Sequence, residues 1–200
     1  MNLDSHQQNF SKKVFLIFFR LAIFMVVTLS LLSCSSRWKS YVIKAGNHSA
    51  IDINLPTINV DKIDFKFKAD SSWYYPPPPN PGWNKIRGFS NGHYQDNSSA
   101  RLGYQCFGDS ILVVGAYCYV NGVSPQENTA QKGIIDTIYP GKVYHCKISR
   151  ENGRYIFEFE NKVWEGPAGK AIDWGYLLNP YIGGEFILDH DWHAEIKDLK

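Results

Sequence analysis

The chain predicts an all-β fold, an antiparallel two-sheet sandwich behind an N-terminal signal helix, and three observations carry this reading. Apolar and polar residues alternate with a period of two over most of the chain beyond residue 48, the pattern of strands with one face buried. No segment sustains the 3.6-residue periodicity of an amphipathic helix. Turn dipeptides at Gly108-Asp109, Asn121-Gly122, Pro140-Gly141 and Asn152-Gly153 fall between the alternating stretches at a spacing that suits hairpins.

The first element in the chain is not a strand. An apolar run from Leu21 to Leu32 follows Lys12, Lys13 and Arg20 and closes at Leu31-Leu32-Ser33-Cys34. Its length suits the core of a signal peptide and falls short of the roughly 20 residues a spanning helix needs. An uncleaved helix from Val14 to Leu32 would place Arg20 in hydrocarbon at a cost of about 2.5–3.5 kcal/mol. A small residue, Ser33, ahead of a cysteine that ends the run resembles the lipobox of bacterial lipoprotein precursors. The resemblance implies that residues 1–33 are removed, that Cys34 is acylated, and that a lipidated tether, 34–47, holds a β-sandwich domain, 48–200. Two or three acyl chains make a durable anchor where one does not. By the same resemblance Ser35, in place of an aspartate, implies the outer membrane. The lack of an acidic cluster in Ser35-Ser36-Arg37-Trp38 favours its periplasmic face over the cell surface.

Removal of the first 33 of 200 residues leaves 167, enough for one domain with a sizeable core. The removed segment holds Lys12, Lys13 and Arg20 against Asp4, which accounts for the whole formal charge of +2. The mature domain is therefore near neutral and lacks the basic footprint of a nucleic-acid binder. Cys106, Cys118 and Cys146 remain once Cys34 is acylated. Cys106 and Cys118 flank the turn at Gly108-Asp109-Ser110 and would lie at opposite ends of that hairpin, beyond bridging reach. A disulfide would therefore need Cys146, paired with either of them; the alternative is three small buried hydrophobes. No C-x-x-C or C-x-x-H spacing supports zinc.

Taken in order, the strands read as follows. Ile51, Ile53 and Leu55 alternate with Asp52 and Asn54; Ile63, Phe65 and Phe67 alternate with Asp64, Lys66 and Lys68. Further strands are expected over Ser99–Phe107, Ile111–Val120, Ile134–Ile138, Val143–Ser149, Arg154–Glu160, Tyr176–Ile182 and Trp192–Leu199. The run from Pro140 through His145 to Ser149, the following hairpin Glu151–Val163 with its Glu160-Asn161-Lys162 turn, and Tyr181-Ile182-Gly183-Gly184 ahead of a closing strand resemble concanavalin-A-like and laminin-G-like jelly rolls. The match covers roughly the last 60 residues and implies a jelly-roll sandwich; function must be argued from a site.

Three groups of residues carry candidate chemistry. Trp73-Tyr74-Tyr75-Pro76-Pro77-Pro78-Pro79-Asn80-Pro81-Gly82-Trp83 reads as a stiff polyproline arm with four aromatics at its ends. Outward rings would stack on sugars; the competing reading has Trp73 and Trp83 closing the sandwich while the prolines block edge pairing. His93, Tyr94 and Arg101 lie within nine positions. In sandwich-fold polysaccharide lyases a tyrosine or histidine takes a proton beside a uronate while an arginine neutralises the carboxylate, so these types suit catalysis of that kind. The arginine-rich strand and glutamine-isoleucine-histidine triplet of such lyases do not occur, nor do the paired glutamates of retaining glucanases: Glu158 and Glu160 read as a solvated strand face. Asp189, His190, Asp191 and His193 form the third group. Their oxygens would suit calcium and their imidazoles zinc, provided the chain turns at Asp189–His190. His145 reads as a surface strand residue. No nucleophile or phosphate-loop signature is present.

The sequence therefore leads to a lipid-anchored jelly roll that binds glycan or cell-envelope polymer without catalysis, through Trp73, Tyr74, Tyr75 and Trp83. A polysaccharide lyase or hydrolase, and a structural envelope lipoprotein with a protein partner, are the alternatives.

Overall fold

The computed structural model describes residues 37–52, 56–58, 60–76, 82–108, 110–123, 133–170, 174–183 and 187–199. The signal segment, Cys34, Ile53, Leu55, the prolines at 77–79 and Gly184 lie outside them.

Strands dominate, and all their pairings are antiparallel. Sheet one is ordered β1 (Lys39–Ile43), β12 (Trp192–Asp198), β3 (Lys62–Ala69), β8 (Val143–Glu151), β9 (Arg154–Phe159), β10 (Lys162–Pro167). Sheet two is ordered β2 (Thr57–Ile58), β11 (Trp174–Leu178), β4 (Asn84–Ser90), β5 (Ser98–Phe107), β6 (Ile111–Val120), β7 (Ile134–Ile138). The two sheets enclose one core in a jelly-roll sandwich, as the alternation requires. Phe65, Phe67, Tyr155, Phe157, Phe159 and Ile196, the inward positions of their strands, are all buried, while Lys66 and Glu158 between them are partly exposed. Each such aromatic removes about 1.5–3 kcal/mol worth of apolar surface from water. Asn121-Gly122 and Asn152-Gly153 both have positive φ, the backbone that tight two-residue hairpin turns demand. Cys106, Cys118 and Cys146 are free and buried, and Cys118 pairs with Ala100 while Cys106 pairs with Leu112, six positions apart on one ladder.

Four differences from the expected layout matter. The tether expected over 34–47 contains strand β1, which pairs with β12 over five positions and buries Tyr41 and Ile43. Ile51 is not an inward strand residue: it lies in a bend, fully exposed. The strand expected over Tyr176–Ile182 spans Trp174–Leu178. Strand β4 was hidden because its residues are buried on both faces while carrying Asn84, Lys85, Arg87 and Ser90, and because a bulge between Lys85 and Arg87 breaks the alternation. Part of what reads as a polar loop from Gly88 to Arg101 is thus strand, and the true connection is 91–97.

Polar ties fix the sheets to one another. Arg87 faces inward opposite Leu102, and its Nε and Nη2 bind the two carboxylate oxygens of Asp198 on β12 at 3.1 and 2.5 Å. Its Nη1 donates to Asn179, which also accepts from Tyr41 and donates to Asp52. On the other side of the core, Tyr155 of β9 donates to Asn91 and meets Ser98 Oγ at 2.7 Å, anchoring both ends of the 91–97 loop. Burial pushes the Tyr155 hydroxyl up to about 12, so it stays a neutral donor.

Candidate functional site

The outer face of sheet two, the side turned away from the core, carries the densest unusual chemistry. Residues directly opposite one another in an antiparallel ladder share a face. Core-facing Ala100, Leu102, Tyr104 and Cys106 therefore leave Ser99, Arg101, Gly103 and Gln105 of β5 pointing outward. By register, Arg101 lies between Gly88 of β4 and Tyr117 of β6, Ser99 between Ser90 and Tyr119, and Gly103 between Lys85 and Gly115. Tyr176 and Leu178 of β11 extend the same rows opposite Ser90 and Gly88. No outward position of β4, β5, β6 or β11 among the described residues carries an acid, whereas Lys85 and Arg101 supply two cations.

Gly103 and Gly115 face each other without side chains, and Trp83 lies across them. A Cβ on either would come within 2.9 Å of the indole, so only glycine leaves room for it. Lys85 Nζ is 4.3 Å from the centre of the Tyr117 ring and 5.7 Å from that of Tyr181, a cation held between two π faces. His48 stacks on Tyr181 at 5.5 Å and donates from Nδ1 to the Ile182 carbonyl. Tyr117 donates to Tyr119 at 3.2 Å.

Arg101 is 5% exposed. One terminal nitrogen donates to Gln95 of the 91–97 loop. Burial lowers the pKa of the guanidinium, while Tyr117, Asp96, Tyr176 and Tyr119 counteract this electrostatically. Asp96 is exposed, and no carboxylate among the described residues lies within ion-pair distance of Arg101. Its Nε, Ser99 Oγ and Trp83 Nε1 are all buried without a hydrogen-bond partner among the described residues. Buried polar groups are satisfied as a rule, so three exceptions on one sheet face mark it out.

Of the residues expected to act, the structure brings only some together. Arg101 is on this face. His93 is exposed at its rim, edge-on to Trp174 of β11 at 4.0 Å, and Tyr94 is 71% exposed. Tyr117 of β6, which the sequence did not single out, is the residue directly opposite Arg101 in the ladder.

The aromatic arm is corrected. Trp73 is fully buried between the sheets, 4.5 Å from Tyr104 and 5.1 Å from Trp192, with Nε1 donating to the His193 carbonyl. Tyr75 is buried too, accepting from Asn84 and Cys106, and Tyr74 packs against the core. Trp83 is 4% exposed on the opposite side of sheet two. The indoles do not project to solvent; apolar rings at a sandwich end gain more from packing than from display.

Three of the four candidate metal-ligand side chains, Asp189, His190 and Asp191, are committed elsewhere. His190 donates from Nδ1 to Asp189 and from Nε2 to the Ser72 carbonyl, leaving neither nitrogen for a cation. The Ser72 contact, with Asp189 behind it, raises the pKa of the imidazole against the effect of burial. Asp191 accepts from Lys44 at 2.6 Å and from the Ala45 amide, and the main chain of His193 binds Ser72 and Trp73. Among the described residues no group of three or more His, Cys, Asp or Glu converges as a metal site. His145 is a half-exposed strand residue paired with Asp64 at 2.6 Å. A depression of about 290 Å³ on the outer face of sheet one is lined by Lys68, Asp70, His193 and Glu195, and its lysine and glutamate pair with each other.

No protein-family model matches the chain, and no curated protein matches it. Solved structures do. A variant of the alginate lyase Aly36B in complex with an alginate trisaccharide superposes with a TM-score of 0.57 at 13% identity, over 80% of this chain and 78% of that one. Aly36B itself gives 0.51 at 14% identity, over 83% and 80%. A variant with a lysine and a tyrosine changed to alanine, in complex with an alginate tetrasaccharide, gives 0.53 at 11% identity, over 80% and 78%. At such identities the likeness is one of fold: the chain shares the sandwich of these proteins.

Proposed function

We propose that this chain is a lipid-anchored extracytoplasmic protein that binds glycan on the outer face of sheet two. The observation that supports the reading best is the strip of Tyr117, Tyr119, Tyr176 and Tyr181 running beside Lys85 and Arg101 over a glycine floor. The partly exposed rings of Tyr119, Tyr176 and Tyr181 offer flat faces and hydroxyls for sugar, with the buried Lys85, Arg101 and Tyr117 beside them. The shared fold of an alginate lyase crystallised with alginate oligosaccharides adds to this reading by analogy. The anchor rests on the Leu31-Leu32-Ser33-Cys34 sequence, with Ser35 favouring the outer membrane.

Binding is tested with the full chain in detergent micelles on an array of plant, algal and bacterial envelope glycans. Retention of one polysaccharide class, lost on Tyr117→Ala with Tyr181→Ala, supports the site; retention unaffected by both changes places the ligand elsewhere. For the anchor, a radioactive fatty acid should label the wild-type protein and not Cys34→Ala, and a mature mass that includes residues 1–33 would refute it.

Cleavage is the second reading. Tyr117 directly opposes Arg101 in the ladder and lies under the Lys85 ammonium, so a phenol capable of proton transfer neighbours two cations. β-Elimination would reveal itself as an ultraviolet-absorbing unsaturated uronate on incubation with a polyuronate. No such product at high protein concentration would leave binding alone.

A further inference from the structure

We infer that the domain lies against the membrane that holds it, through a patch of Arg37, Trp38, Ile51, Lys66 and Lys197 that meets anionic phospholipid headgroups. The inference rests on the lipid anchor proposed above and goes beyond it by naming the side of the domain that faces the bilayer. Once Cys34 is acylated, only Ser35, Ser36 and Arg37 separate it from Trp38. Four residue steps reach at most about 14 Å even when fully extended. The headgroup layer takes up roughly 5–7 Å of that reach, and what remains is no more than the ~8–10 Å over which an anionic surface is felt in physiological salt. The start of β1 is therefore held inside that field.

What the chain exposes there suits such a surface. Arg37 and Trp38 stand exposed immediately ahead of β1, and Trp38, at 42%, is open to solvent where every other described tryptophan is buried or half-buried. An indole, with an apolar body and one N–H, belongs at the boundary between hydrocarbon and water. Ile51 is fully exposed and precedes Asp52, whose carboxylate holds Lys39 at 2.6 Å, so it borders the same strand start. Charge completes the patch. One step beyond the Lys39–Ile196 pair come Trp38 and Lys197, and Lys197 is paired in register with Lys66 of β3. Two ammonium groups directly opposite in a ladder repel each other. Elsewhere on the outer face of sheet one the chain avoids this by setting Lys68 opposite Glu195 and Lys147 opposite Glu158. Arg37, Lys66 and Lys197 have no ion-pair partner among the described residues, and the acids nearest to them are engaged, Asp52 by Lys39, Asp64 by His145 and Asp198 by Arg87. Anionic headgroups relieve this repulsion. Each cation close to such a surface favours contact about fivefold.

The test takes the protein purified from membranes of cells that express the full chain and reconstitutes it into two kinds of vesicle, one of phosphatidylcholine alone and one of equal parts phosphatidylcholine and phosphatidylglycerol. In both, some of the phosphatidylcholine carries bromine high on its acyl chains, which quenches only indoles at the membrane boundary. Tryptophan quenching should be about fivefold stronger or more in the phosphatidylglycerol vesicles, and Lys66→Gln with Lys197→Gln should remove most of that excess. It should vanish in Trp38→Phe. Salt at about 1 M, which shortens the screening length to about 3 Å, should act like the double lysine change. Lys147→Gln, farther along the same face, should alter nothing. Equal quenching in the two vesicles, or quenching that survives Trp38→Phe, overturns the inference while a fatty-acid label on Cys34 keeps the anchor. A protein that carries no label and floats with neither vesicle removes the anchor and this inference together. The five side chains are partly or fully exposed, so the variants should fold; were one to melt early, the wild-type comparison between vesicles and between salts still decides.

Discussion

The outer faces of the two sheets are made of similar residue types and behave in opposite ways. On sheet one, Asp64, Lys66, Lys68, His145, Lys147, Glu158, Glu195 and Lys197 alternate with the core residues, stay partly or fully exposed, and all but Lys66 and Lys197 pair across strands: Lys68 with Glu195, His145 with Asp64, Lys147 with Glu158. These pairs are matched in sign and solvated. On sheet two, Lys85 and Arg101 are buried, lie beside tyrosines, and share their face with Gly103 and Gly115 under an indole. A strand face that only needs to be soluble can be built from exposed ion pairs worth little each. One that keeps a guanidinium out of water with no carboxylate beside it among the described residues bears a cost in stability, and such costs concentrate where a molecule meets its ligand.

The comparison breaks most sharply at Trp83. Trp83→Ala should destabilise the protein by about 3–5 kcal/mol in urea unfolding, because it empties a buried seat over two glycines. Lys66→Ala, at an outward position of sheet one, should change stability by no more than about 0.5 kcal/mol. Similar values for the two would mean that Trp83 is a dispensable cover and that the faces do not differ as described.

Next in size comes the tie between the sheets. Asp198→Ala strips Arg87 of its carboxylate and leaves a buried guanidinium bound only to Asn179; about 2 kcal/mol should be lost. A loss no greater than for a surface ion pair would mean that buried arginines are cheap in this fold.

A smaller effect is expected at His190. Its folded pKa is raised by the hydrogen bond to the Ser72 carbonyl and by Asp189. A group whose pKa is higher folded than unfolded stabilises the fold while protonated in both states, so the contribution is complete below about pH 6.5 and disappears as pH climbs through the raised value. Melting temperatures of wild type and His190→Ala should converge as pH rises above neutrality and separate below it. Divergence in the opposite direction would mean that the imidazole is held neutral. The least effect should come from Glu158→Ala on sheet one, at about 0–1 kcal/mol and diminishing with salt, since Glu158 is half-exposed beside Lys147.

How much of this was legible depended on how local each feature is. The strands of sheet one could be read directly, because Lys62–Ala69 and Arg154–Phe159 alternate without interruption and present one wet face each. Strand β4 could not, since its two faces are both buried and a bulge shifts its phase. The candidate site was legible only as Arg101. Lys85, Tyr117, Tyr119, Tyr176 and Tyr181 come from separate strands and a bridge, with nothing in their spacing to link them; Gly103 and Gly115 at matching distances from the 108–110 turn were the one available hint. The aromatic arm misled because four aromatics around a proline run are equally consistent with display and with burial.

The sequence by itself determined the antiparallel sandwich, the inward set of aromatics and the hairpin turns, all of which follow from period-two patterning and from turn chemistry within a few residues; that the three cysteines are free came from the structure. Tertiary structure alone decided that β1 is a strand, that Trp73 and Trp83 lie on opposite sides of sheet two, and that Asp189, His190 and Asp191 of the metal-like quartet are spent on hydrogen bonds. It also decided that Arg101 is buried with no carboxylate at ion-pair distance among the described residues. Those are questions of which strands become neighbours, and neighbour choice is set by the packing of whole sheets, which no local pattern encodes.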